Sequence, residues 1–368
     1  MVVAVADRRT VIISGGILSA LIGSGYGAAK WFAASDRRRT GTDRLRLARA
    51  MEELAEPIGT RHHLFGSHDG GQLHAVDYGH TDAPPIVLLH GVTLAAPLFN
   101  HALVDLGPAF RVIAMDWRGH GRSRPGRDGF GVGVLARDIA TLLMHLDLHH
   151  AVVLGHSMGG MALGRFCVDE TAIRTERVAG VVFCDTAAFN AGNKVPTLLR
   201  RFFAVFGGRN PELAGKIAQI PSGDIAYMAA RANFGDHPDP VAVEQTRLMF
   251  DAMSPSAITE SILPLFTHDV RSGLPLVNTP ALVMVGSKDP LTPPTQAADL
   301  VRLLPHSRLH TFPGVGHLPM LECRADFASV LADFAHEVQP ANKYVNILHQ
   351  QSSGDGRGQR GSKRQTRQ

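Results

Sequence analysis

Cysteine is scarce in this chain, with three in 368 residues, at positions 167, 184 and 323. The number is odd, the spacing is wide, and two of the three sit inside apolar runs. That excludes a disulfide framework and leaves Cys167, Cys184 and Cys323 as expected buried thiols. Among the 19 histidines, the pairs His62-His63 and His149-His150 fall in no metal-ligand spacing, so no metal site is expected. A strong charge bias is missing too. Lys and Arg number 37 against 33 Asp and Glu, a net charge of +4. That excludes a nucleic-acid binder working through its whole surface. The basic excess lies near the two ends, in "DRRRTGTDRLRLAR" and "RGQRGSKRQTRQ", which read as solvated charge runs. A working dinucleotide turn is also absent. "GSGYGA" (Gly23 to Ala28) fits G-x-G-x-x-A formally, but it ends an apolar run instead of following a strand. No cofactor is called for.

What is present is ordinary globular material, 45% hydrophobic and 19% charged, enough for one large domain or two modest ones. Val11 to Ala29 carries no charge and is about the length a helix needs to cross a membrane. Gly15, Ser19, Gly23 and Gly27 form a small-residue stripe along it. Three readings compete: a retained membrane anchor, a cleaved export signal, or a packed helix. Arg8 and Arg9 precede the run. Lys30, Arg37, Arg38, Arg39, Arg44, Arg46 and Arg49 follow it. The positive-inside rule therefore favours an anchor with the catalytic bulk on the cytoplasmic side, and export to the cell envelope is the alternative.

Residues 40–58 have the pattern of an amphipathic connector helix. From about residue 60, "RHHLFGS" and "QLHAVDYG" read as a hairpin around "HDGG". Short Val/Ile/Leu runs then alternate with helical patterns. Strands are expected at 85–90, 111–116, 151–156, 178–185, 280–287 and 307–313. Helices are expected at 133–146, after Ser157, in "TQAADLVRLL" and in "FASVLADFAHEV". Continuous apolar strands alternating with helices imply an α/β fold with a mostly parallel sheet covered on both faces. Between about 190 and 278 only helical pieces occur, punctuated by Pro and Gly. Past Pro340 the chain is too polar to form a core.

One turn carries chemistry. "VVLGHSMGGMAL" places Ser157 between an expected strand and an expected helix, inside a G-x-S-x-G pattern. Gly155 and Gly159 supply the small neighbours that a strained turn needs. The helix N-terminus behind Ser157 offers free N–H groups to a developing oxyanion. A serine hydroxyl needs a base. His317 in "FPGVGHLPMLE" follows the last expected strand and can take its proton. Asp289 in "VMVGSKDPLTPP" also follows a strand and can hold the imidazole. Asp185, ending "VVFCD", is the alternative acid, and the loop context favours Asp289. In "LLHGVTLAAPLF" the N–H of Val92, next to Gly91, can join the N–H of Met158 as the oxyanion hole.

With "HGVT", "DWRGHGRS", "GHSMGG", "GSKDP" and "GVGHLP" in this order, the chain resembles the serine hydrolases of the α/β-hydrolase fold over roughly residues 60–338. The resemblance implies a core from 59–189 and 279–340 and a helical cap from 190–278. Residues 1–58 stand apart as anchor or signal plus basic connector, and 341–368 as a disordered basic tail. It implies a structural role for "DWRGHGRS". It argues against epoxide hydrolases and haloalkane dehalogenases, which carry an aspartate where this chain has Ser157.

The leading functional expectation is hydrolysis of carboxylic esters, with hydrophobic or lipid-derived small molecules as substrates. Ser157 is the expected nucleophile, His317 the base, Asp289 its partner, and Val92 and Met158 the oxyanion donors. Phe202, Phe203, Phe206, Met228, Met249, Phe250 and Phe266 are the cap's apolar supply for a pocket. A C–C bond hydrolase, a thioesterase or a cofactor-free perhydrolase would use the same residues. The non-enzymatic alternative is a ligand-binding protein on the same fold.

Overall fold

A computed structural model describes residues 41–189, 208–219 and 224–340. Eight strands form one sheet: β1 (Arg61–Gly66), β2 (Gln72–Tyr78), β3 (Pro85–Leu89), β4 (Arg111–Asp116), β5 (Ala151–His156), β6 (Val178–Cys184), β7 (Ala281–Gly286) and β8 (Ser307–Phe312). Their order is β1-β2-β4-β3-β5-β6-β7-β8. β1 and β2 form the expected antiparallel hairpin, and β2 meets β4 antiparallel. All other pairings are parallel.

The alternation of side chains along each strand explains why both faces are covered. In β3, Val87 and Leu89 join one core with Ile113, Val153 and Phe183; Ile86 and Leu88 join the other with Val112, Leu154 and Met284. Helices α3 (Val132–His145) and α4 (Met158–Asp169) cover the first face. Helices α2 (Asn100–Leu106) and α12 (Arg324–Val338) cover the second. A short helix, α5 (Thr171–Arg177), leads into β6. Its sequence, TAIRTER, is too polar to have announced it.

Between β6 and β7 the described chain is helical, as α6 (Pro211–Gln219), α7 (Asp224–Arg231), α8 (Pro240–Asp251) and α9 (Pro255–Ile262). The expected helix through Phe202, Phe203 and Phe206 and the tail 341–368 lie outside the described residues. β7 is followed by α10 (Pro294–Leu303) and β8 by α11 (Pro319–Glu322). Cys167 and Cys184 are buried free thiols and Cys323 is half-buried.

The expected connector helix exists as α1 (Gly41–Glu53). The expected membrane anchorage, by contrast, is corrected. No helix among the described residues is long and apolar enough to cross a membrane, and residues 11–29 lie outside them. α1, the described helix that follows that stretch, carries Arg44, Arg46 and Arg49 and packs on α8. A membrane-tethered catalytic domain is therefore withdrawn.

"DWRGHGRS" orders the carboxyl end of β4. Asp116 pairs with His74 at 2.8 Å and accepts from Ala96 N (2.8 Å) and Arg122 N (3.0 Å). Arg118, fully buried, bonds Asp69 and Asp138 at 2.8 and 2.7 Å.

Candidate active site

Six parallel strands end at one edge of the sheet, and the expected site residues follow five of them. His90 and Gly91 leave β3, Ser157 leaves β5, Asp185 leaves β6, Asp289 follows β7 and His317 follows β8.

Ser157 sits at φ 54°, ψ −118°, a backbone conformation that non-glycine residues avoid. The turn is tight enough to need its glycines. A Cβ on Gly155 would lie 2.4 Å from the Gly159 carbonyl oxygen, and one on Gly159 would lie 2.4 Å from that of Leu89. Thr186 Oγ1 donates to the Ser157 carbonyl at 2.6 Å and steadies the turn.

His317 and Asp289 meet directly, Nδ1 to Oδ2, at 2.8 Å. Both are buried. Asp289 also accepts from Leu291 N, Thr292 N and Thr292 Oγ1, at 2.8, 3.0 and 2.6 Å. Burial alone would raise its carboxyl pKa. The His317 charge and these hydrogen bonds outweigh burial and hold it below the ordinary carboxylate range. The acid is thus kept ionised against the histidine.

The histidine loop is tied to the nucleophile turn. His156 Nε2 donates to the His317 carbonyl at 2.7 Å, and the two rings pack 4.8 Å apart. Burial, reinforced by His317, lowers the His156 pKa to about 3, so the ring is a neutral strut. Glu322 holds the same loop by accepting from Gly235, Gly316 and Leu318 N–H groups. Among the described residues, no hydrogen bond joins the Ser157 hydroxyl to His317. Such contacts often tighten only when substrate arrives.

The oxyanion side is built by tautomer logic. Trp117 N donates to His90 Nε2 at 3.1 Å, so the His90 proton is on Nδ1, which donates to the Gly91 carbonyl at 2.7 Å. The planar trans peptide then turns the Val92 N–H away from His90. Among the described residues neither Val92 N–H nor Met158 N–H has a protein acceptor. Gly91 packs against Ser157, since a Cβ there would lie 3.0 Å from the Ser157 Cβ.

The family model for the alpha/beta hydrolase fold matches residues 84–322. The chain belongs to that family. This alpha/beta hydrolase is 30% identical over 272 residues to a non-heme chloroperoxidase of Burkholderia pyrrocinia, covering 70% of this chain and 93% of that one. It is 29% identical over 255 residues to a magnesium-chelatase 30 kDa subunit of Rhodobacter capsulatus, covering 66% and 84%. A thermophilic esterase of Thermogutta terrifontis superposes with a TM-score of 0.64 at 25% identity, covering 76% of this chain and all of that one.

Sequence reasoning placed Ser157, Asp289, His317, Val92 and Met158 at this edge, and the structure brings all five to it. It weighed Asp185 only as a substitute for Asp289, whereas both carboxyl groups are here. It missed His156, Thr186, Thr292, Glu322 and Asn233, whose carbonyl accepts from His317 N at 2.7 Å. No local motif marks these. His156, Thr186 and Asn233 act through partners that the fold alone brings near, whereas Thr292 reaches Asp289, and Glu322 the His317 loop, from within six residues along the chain.

Proposed function

We propose that the chain is a serine hydrolase of carboxylic esters. The observation that carries this is the ionised, buried Asp289 bonded to His317 Nδ1, on a loop tied to the strained turn of Ser157. Ser157 Oγ attacks the acyl carbonyl while His317 Nε2 takes its proton. The Val92 and Met158 N–H groups bind the oxyanion. The tetrahedral intermediate collapses, His317 returns the proton to the leaving alcohol, and an acyl-Ser157 remains. Water, deprotonated by His317, then releases the acid. The helices between β6 and β7 act as a cap over the core.

A cavity of about 630 Å³, walled by polar side chains (Glu56, His74, Asp116, Arg122) as well as apolar ones, is large enough for an acyl or alcohol group. It lies two residues beyond Val92, with Leu94, Leu248, Met249 and Met253 in its wall, and none of Ser157, Asp289 or His317 lines it.

Ser157→Ala is expected to abolish turnover of short and medium-chain p-nitrophenyl esters and labelling by a fluorophosphonate probe. Full activity of that variant would overturn the assignment. A second reading rests on the chloroperoxidase relative. Hydrogen peroxide can replace water against the acyl-enzyme and release a peracid from the same residues. Peracid formation exceeding ester hydrolysis in a peroxide-supplemented assay would favour it.

A further inference from the structure

Two carboxyl groups stand behind His317. Asp289 bonds its Nδ1, and Asp185, at the end of β6, offers a carboxylate oxygen within 4.8 Å of both partners. Asp185 is 0% exposed and Asp289 4%. The described groups facing Asp185 are few: the Gly286 N–H from β7 at 2.8 Å, the Cys184 thiol at 3.4 Å, Asp289, His317, and the Cys323 thiol at longer range. Two like charges so close in a dry site repel strongly, and one of the two groups takes up a proton. The hydrogen bonds decide which. Asp289 receives four donors, including the His317 ring N–H. Asp185 receives one backbone N–H and a weakly donating thiol. The negative charge therefore rests on Asp289.

Building on the reading of Ser157, Asp289 and His317 as a catalytic set, we propose that Asp185 is a positioning residue acting through Asp289. Its carboxyl O–H donates to the Asp289 carboxylate while its other oxygen accepts from Gly286, so the pair carries one negative charge behind His317. Burial and the adjacent Asp289 charge both push the Asp185 carboxyl well above its ordinary value, in keeping with that arrangement. The strained backbone of Asp185, at φ 44°, also fits a side chain aimed by design of the turn. The pair fastens the acid loop after β7 to the end of β6. Its charge stays at one as His317 gains and loses its proton.

The test uses the full chain with ¹³C-labelled aspartate carboxyl carbons. One resonance, assigned by its loss in Asp185→Asn, is expected to keep the shift of a protonated carboxyl to about pH 7. Titration of that resonance in the ordinary carboxylate range would overturn the proposal. Asp185→Asn has both a donor and an acceptor, and is expected to hold kcat within about twofold and leave the acid limb of the pH profile in place. A fall of more than tenfold, or an acid limb moved to lower pH as expected on losing a real negative charge, would sink the idea. Asp185→Ala has neither group. Its kcat is expected to fall about tenfold or more with KM little changed, and its acid limb to move to higher pH. An unchanged kcat and profile in a folded Asp185→Ala would count against the pair. Should that variant not fold, the resonance and the Asn profile still decide. Fluorophosphonate labelling of the wild type reads Ser157 separately, so failure of the triad reading is distinguishable from failure of the pair.

Discussion

Ser157 is held where a serine side chain does not rest easily. Its φ of 54° and ψ of −118° cost of order 1–3 kcal/mol for a non-glycine residue. The cost is met by packing on every side: β5 before it, α4 after it, and the Thr186 hydroxyl on its carbonyl. Glycine accepts this conformation without a Cβ penalty, at some cost in unfolded-chain entropy. Ser157→Gly is therefore expected to be inactive yet more stable, by about 1 kcal/mol, than the wild type in urea unfolding. Ser157→Ala keeps the strain and is expected to show no such gain. Equal stabilities for the Gly and Ala variants would mean that the turn is not strained at this residue. The glycines and the strand before Ser157 made this position legible in the sequence. Two of the contacts that orient His317 were not legible, because Asn233 and His156 meet it only across the folded site.

The elements were legible where a run was apolar enough to be buried on both faces. β3, β5 and β7 are such runs, each unbroken in the sequence, and each appears where expected. α5 was not legible because it buries only Arg174. The loop after β4 shows a further limit. Its Arg118 meets Asp69, 49 residues away, and Asp138, 20 residues away, and no spacing rule links the three. The two carboxyl groups respond differently. The Arg118 bond holds Asp69 below the ordinary carboxylate range, while burial raises Asp138 in spite of Arg118. A depressed Asp69 stabilises the fold above the ordinary carboxylate pKa, and that contribution is lost as pH falls through the depressed value. Asp69→Asn is thus expected to lower stability at neutral pH by about 1.5–3 kcal/mol, with the gap to wild type narrowing as the pH is taken below about 4. Melting curves across pH measure this. A gap that stays constant to pH 3 would show that the loss is steric instead of ionic.

At the scale of the whole molecule, the described body extends beyond the matched region 84–322. α1 is docked through Glu53, whose carboxylate accepts from Arg324 of α12 at 2.7 Å and from Gln245 of α8 at 2.8 Å. Asn100 of α2 donates to the carbonyls of Glu53 and Ala55 at 3.1 and 3.0 Å, and Arg46 lies over the Tyr227 ring at 4.5 Å. One side chain thus links α1 to the sheet-covering helices and to the helices between β6 and β7. Leu54, Ala55 and Glu56, just past α1, wall the 630 Å³ cavity opposite Leu248 and Met249. If an acyl or alcohol group occupies that cavity, the grip on α1 is a determinant of substrate size. Glu53→Ala removes the contacts to Arg324, Gln245 and His101 from a half-exposed position, so the stability loss is expected to be no more than about 1 kcal/mol. The cavity wall would loosen while Ser157, Asp289 and His317 keep their places. The expected outcome is a several-fold higher KM for esters that fill the cavity, with kcat and KM for an acetyl ester close to wild type, because uniform binding is lost without transition-state contacts. Steady-state kinetics over a graded ester series reads this directly. A proportional loss across all chain lengths would place the effect at the reacting centre, and an unchanged series would mean that the substrate does not reach this wall.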